Sequence, residues 1–138
     1  MNIKKIAVVG AGTMGLGIAQ TYAANGLPTA LIDVKEEALD FAKRMVATNV
    51  ESLLKAEVIT PEQAAATVEN LTYSTEMSAA ADADLVVEAV PENVKIKSAV
   101  FTALDEVCRP DTILSSTTSA PPSFTKRAAF STASRAST

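Results

Sequence analysis

Three glycines, Gly10, Gly12 and Gly15, followed eighteen residues later by Asp33, are the residues of this 138-residue chain whose types and spacing best suit chemistry. The Gly-x-Gly-x-x-Gly run, completed by Ala11, Thr13 and Met14, follows the apolar stretch Ile6-Ala7-Val8-Val9 and opens a segment of helical composition. In a strand, turn and helix of this kind the first glycine allows a sharp turn out of the strand. The second lets an anion approach the backbone closely, and the third lets the helix pack tightly. The unpaired N–H groups and the dipole of the helix N-terminus then favour a pyrophosphate. The alternative is a glycine-rich turn used only for packing. Asp33 ends a second apolar stretch, where a carboxylate accepts hydrogen bonds from adenosine ribose hydroxyls and repels a 2′-phosphate, so these residues favour NAD over NADP. Lys35 would soften that preference, but two residues on it is read as solvated. Flavin proteins share the fingerprint, and position alone does not exclude a flavin.

Other chemistries are narrowed by what the chain does not contain. It has no histidine, which removes the commonest general acid and base. Cys108 is its single cysteine, so neither an internal disulfide nor a cysteine-built metal site is expected, and a reducing cytoplasm fits. A net charge of -4 argues against nucleic acid as a partner, and no apolar run is long enough to span a bilayer. Lys4 and Lys5 before an apolar stretch loosely mimic a secretory signal, but Gly10, Gly12, Gly15 and Gly17 interrupt it and Gln20 and Thr21 follow.

The elements that must position these residues alternate. Strands are expected over Ile3 to Val9, Pro28 to Asp33, Leu71 to Ser74, Ala83 to Val90 and Thr112 to Ser115. Helices are expected over residues 13 to 25, stopping at Asn25-Gly26, over Lys35 to about Ala56, and over Glu92 to Val107. Thr60-Pro61-Glu62-Gln63 reads as a capped start for a further helix running to about Glu69. Such alternation predicts an α/β fold, a doubly wound, Rossmann-type parallel sheet of order 3-2-1-4-5 with helices on both faces. Glu88 interrupts an apolar strand, and is expected at its open end with a hydrogen-bond partner rather than deep in the core.

The chemistry changes near the C-terminus. Residues 1 to 111 carry nine basic and sixteen acidic side chains, whereas residues 112 to 138 carry Lys126, Arg127 and Arg135 and no acid. Residues 117 to 138 hold ten Ser or Thr, five Ala and Pro121-Pro122, with only two phenylalanines to bury. The expectation is a folded unit over residues 1–116 and a disordered tail over 117–138.

Between Asp84 and Lys97 the sequence resembles a known family. Asp84-Leu85-Val86-Val87-Glu88-Ala89-Val90-Pro91-Glu92-Asn93, with Lys97 following, is similar to the 3-hydroxyacyl-CoA dehydrogenases, including the bacterial 3-hydroxybutyryl-CoA enzymes. The run Ile6 to Gly15 and the segment Ile113-Leu114-Ser115-Ser116 also resemble that family, so the likeness covers about residues 3 to 119. It implies NAD as cofactor, an acyl-CoA substrate, and Glu92 and Lys97 as contacts near the ribose and nicotinamide end. Without the resemblance, Lys97 reads equally well as a solvated helix lysine, and Glu92 as an acid favoured by the helix dipole.

The resemblance also implies a departure. The family follows Ser-Ser with Asn-Thr-Ser, in which the asparagine reaches the nicotinamide and the serine the substrate. Here Thr117 stands at the asparagine position and Ser119 at the substrate serine. Beyond Ala120 the motifs stop: the segment with the family's catalytic histidine, its partner glutamate and the helical domain that forms the dimer are not found. The expectation is therefore an NAD-binding unit with no catalytic residue of its own, from a truncated or frame-shifted product, poorly active by itself. Another hydroxyacid dehydrogenase fragment, or a module that binds NAD without catalysis, is the alternative.

Overall fold

A computed structural model describes residues 3–90 and 93–116 of the chain. Five parallel strands, β1 (Ile6–Val9), β2 (Thr29–Ile32), β3 (Leu71–Ser74), β4 (Leu85–Glu88) and β5 (Ile113–Ser116), lie in the order β3-β2-β1-β4-β5. Four helices connect them, α1 (Thr13–Ala24), α2 (Glu36–Lys55), α3 (Pro61–Asn70) and α4 (Val94–Val107), with a short 3-10 turn at Met77–Ala80. The expected order and alternation are both found.

Strand side chains alternate between the two faces, and this decides which helix each face accepts. Ile6, Val8, Leu31, Leu85 and Val87 form one apolar layer with Leu16, Ala19 and Ala23 of α1, Leu39, Ala42 and Val46 of α2, and Ala64 of α3. Ala7, Val9, Ala30, Ile32, Val86 and Leu114 form the other with Val100, Phe101 and Leu104 of α4 and Ala80 of the 3-10 turn. Burial on both faces explains why these strands read as continuous apolar runs. Each fully buried Leu, Ile or Phe contributes about 1.5–3 kcal/mol against the entropy of ordering the chain.

The element boundaries have local causes. At α1 the chain stops at Asn25, and Gly26 adopts φ +86°, with its amide donating to the Ala23 carbonyl and that of Leu27 to Tyr22, the left-handed exit that glycine permits. At α3 both halves of the capping box form: the Gln63 amide donates to Thr60 Oγ1 at 3.1 Å, and the Thr60 amide to Gln63 Oε1 at 3.0 Å. Strand β4 is shorter than the apolar run suggests. Its lower end is taken by Asp84, whose Oδ2 accepts from the amides of Lys4 at 2.8 Å and Lys5 at 3.1 Å while Arg109 donates to Oδ1 at 2.5 Å. Its upper end closes because the Val90 amide turns back to the Glu88 carboxylate.

Register aligns the carboxyl ends of the strands. Val9 lies beside Ile32 and Glu88, Ile32 beside Ser74, and Glu88 beside Ser116. The glycine turn, Asp33 and the start of α4 all leave the sheet from this one edge. Among the described residues β5 is the last strand on its side of the sheet, and its side chains are mostly half-buried. The expected tail, 117–138, lies outside the described residues.

Candidate nucleotide site

The glycine turn is shaped by the space around it. Gly10 has φ +108°, and a Cβ there would stand 2.7 Å from the Ala89 carbonyl oxygen. A Cβ at Gly15 would stand 1.8 Å from the Gly10 carbonyl oxygen, so the first turn of α1 can sit on the glycine loop only if that position is bare. Gly12 is different. A Cβ there meets nothing within 4 Å, and the residue is exposed, so its bareness leaves the approach from solvent open. Thr13 and Met14 are exposed beside it, Met14 by 58%.

Helix α1 is also the helix whose N-terminus is left ready for an anion. Gly12 supplies no side-chain cap, and the first turn carries no acid. By contrast α2 begins with Glu36 and Glu37, α3 has the Thr60 cap and Glu62, and α4 is capped by Asn93. First-turn N–H groups that lack internal partners, with the helix dipole behind them, suit a phosphate.

Asp33 follows β2 directly and is half-buried. Its Oδ2 accepts the Ala11 amide hydrogen at 2.9 Å and its Oδ1 that of Lys35 at 2.9 Å. The carboxylate is thereby held at the rim of the glycine turn with lone pairs still available to hydroxyl donors. Lys35 itself is exposed, as expected.

Across the turn, β4 and α4 bring together a group that spacing did not reveal. Glu88 is fully enclosed, and Lys97 is 1% exposed. Lys97 Nζ donates to Glu88 Oε1 at 3.0 Å and to Oε2 at 3.2 Å, while Ser116 Oγ donates to Oε1 at 2.7 Å and the Val90 amide to Oε2 at 2.6 Å. Glu88 does stand at the end of its strand with partners, as the sequence suggested. Its burial is the correction: a carboxylate with this many donors can be enclosed completely. The solvated reading of Lys97 is likewise overturned. Asn93, unremarked as a structural residue in the sequence, caps α4 by accepting from the amides of Lys95 at 3.0 Å and Ile96 at 3.2 Å.

Gly10, Gly12, Thr13, Met14, Gly15 and Asp33 therefore meet at one edge of the sheet, with Lys97 buried beside that edge. Glu92 and Ser119 lie outside the described residues. No cluster of three or more His, Cys, Asp or Glu that could hold a metal occurs among the described residues. No helix there is long and apolar enough to cross a membrane.

Comparison with known proteins agrees with this geometry. Residues 5–135 match the family model for the 3-hydroxyacyl-CoA dehydrogenase NAD binding domain, a span that runs past Ser119, where the motif-level likeness ends. The chain is 39% identical over 119 residues to the 3-hydroxyadipyl-CoA dehydrogenase of Escherichia coli, covering 86% of this chain and 25% of that protein. It is 37% identical over 126 residues to a probable 3-hydroxybutyryl-CoA dehydrogenase of Bacillus subtilis, covering 88% of this chain and 42% of that one. The crystal structure of 3-hydroxybutyryl-CoA dehydrogenase from Escherichia coli superposes with a TM-score of 0.83 at 38% identity, over 88% of this chain and 26% of its own. The chain thus spans less than half the length of these relatives. With the fold, the glycine turn and the matched span in agreement, the chain belongs to the family of 3-hydroxyacyl-CoA dehydrogenase NAD-binding domains.

Proposed function

We infer that this chain holds NAD(H) across the carboxyl ends of β1, β2 and β4, as the cofactor half of a dehydrogenase acting on 3-hydroxyacyl-CoA. The observation that carries the reading is the pairing of an uncapped α1 N-terminus behind an open Gly12 with a carboxylate fixed at the rim of the same turn. Gly10, Gly12 and Gly15, with the amides of Thr13 and Met14, would receive the pyrophosphate, and Asp33 the adenosine ribose. Asp33 would also repel a 2′-phosphate, which favours NAD over NADP. Glu92 and Lys97 are assigned to the opposite, nicotinamide end, and Ser119 to the substrate, by resemblance to the family.

When bound, the nicotinamide supplies hydride exchange with C3 of the acyl-CoA. This chain's residues bind and orient it. The accompanying proton transfer needs a general base, and no histidine is present to supply it. Lack of a positioned acid–base costs about 100- to 10,000-fold in rate, so the chain alone is expected to bind cofactor with little turnover. A reducing, cytoplasmic setting suits its one buried thiol, Cys108.

The test is calorimetric titration of the purified chain with NADH and, separately, NADPH. Saturable binding that prefers NADH supports the reading. Binding of neither, or preference for NADPH, overturns it.

A further inference from the structure

Glu88 and Lys97 form a salt bridge with side-chain exposures of 0% and 1%. A buried ion pair is weak evidence for stability, because an apolar pair of similar volume often serves packing as well or better. Its position suggests another use. Glu88 ends β4 beside Val9, the residue that leads into the glycine turn. Asp33 stands on the other side of that turn, at the end of β2.

A dinucleotide with its pyrophosphate on the turn and its adenosine ribose on Asp33 must extend its second nucleoside over the ends of β4 and β5. Glu88, Lys97 and Ser116 meet there. The oxidised nicotinamide ring is a cation and the reduced ring is neutral. Net charge beneath it, in a water-poor environment, therefore changes the affinities of the two redox forms by different amounts.

We propose that Glu88 is a positioning residue that balances Lys97 in place, so that the lysine faces the dinucleotide without a net positive charge that would disfavour the oxidised form. The inference rests on the NAD(H) reading above and deepens it. Glu88 acts through Lys97 and through the Val90 amide, which it draws toward the turn at 2.6 Å. It makes no contact with cofactor itself.

The experiment is calorimetric titration of the purified chain with NAD+ and with NADH, at low ionic strength, for the unaltered protein, Glu88→Gln, Lys97→Gln and the double variant. Glu88→Gln is expected to weaken NAD+ relative to NADH by about threefold or more, and Lys97→Gln to shift that ratio the opposite way. The double variant, again neutral, is expected to return the ratio to within about twofold of its starting value. Equal loss of both affinities in each single variant, with the ratio unmoved, would mean that the pair only braces the loop, and overturns the proposal. Failure of the unaltered protein to bind either form would instead sink the NAD(H) reading. Near-ultraviolet dichroism checks folding, and titrations in trimethylamine N-oxide keep destabilised variants folded. Either single variant tests the sign by itself.

Discussion

Asp33 Oδ2 accepts the Ala11 amide hydrogen at 2.9 Å, so the end of β2 and the glycine turn after β1 are held as one unit across 22 residues of sequence. The carboxylate that faces the ribose in the proposed complex is therefore also a brace for the loop that receives the pyrophosphate. Replacing it removes both at once.

Asp33→Ala is expected to weaken NADH binding by about 10- to 100-fold, the scale of a hydrogen bond to a charged group. It is also expected to narrow the gap between NADH and NADPH, because the charge that repels the 2′-phosphate is gone. Parallel titrations with the two cofactors measure both effects. An unchanged preference would remove Asp33 from the specificity argument.

Gly15 and Gly17 lie two residues apart on α1 and should respond to alanine in opposite directions. At Gly15 a Cβ would stand 1.8 Å from the Gly10 carbonyl oxygen, so Gly15→Ala must push the helix off the turn, at about 1–3 kcal/mol or more. At Gly17 a Cβ meets nothing within 4 Å, and Gly17→Ala should stabilise the helix by about 0.5–1 kcal/mol. Urea midpoints moving the same way for both would contradict the packing account.

Asn93→Ala should loosen the start of α4, since its side chain is the acceptor for the Lys95 and Ile96 amides. A loss of about 1 kcal/mol is expected, with Asn93→Asp nearly neutral. Hydrogen exchange at those two amides reads the change locally. Protection retained in Asn93→Ala would show that the tertiary contacts of Lys97, rather than the cap, hold the first turn.

Acid should weaken the opposite, amino-terminal edge of the sheet. The Arg109 guanidinium, followed by the Lys4 amide, holds the Asp84 carboxyl below the usual carboxylate range. Asp82 is lowered similarly by Lys5. A carboxyl lowered in the folded state adds stability that is complete above its unfolded value of about 3.9 and is lost as pH falls through the folded value. Asp84→Asn should therefore reduce stability at neutral pH and flatten its decline below about pH 4. Denaturant unfolding across pH 2.5 to 7, taken as about the span of that titration, compares the two proteins. Parallel curves would exclude Asp84 as a source of the acid sensitivity.

Much of this molecule was legible from local pattern. Strands β1, β2 and β4 read as plain apolar runs because they are buried throughout, and the alternation of strands with helices gave the sheet order through right-handed crossovers. Gly10, Gly12 and Gly15 were interpretable because their tasks depend on backbone conformation and on neighbours within a few residues or one strand away. The Thr60 to Gln63 box is a contact between residues three apart, and it formed as written.

Glu88 and Lys97 were not legible in the same way. Nine residues separate them, and whether each is solvated or enclosed depends on how α4 folds back over β4 and on Ser116 arriving from β5. Asp33's hold on Ala11 and Asp84's on Lys4 and Arg109 also join residues distant in sequence. The sequence by itself determined the element types and the glycine turn, which follow from side-chain periodicity and backbone freedom, and the strand order, which follows from the strand–helix alternation and the right hand of its crossovers. Only the tertiary structure decided which charges are buried and with whom, because the cost of enclosing a charge is offset by partners that chain folding alone brings within hydrogen-bonding distance.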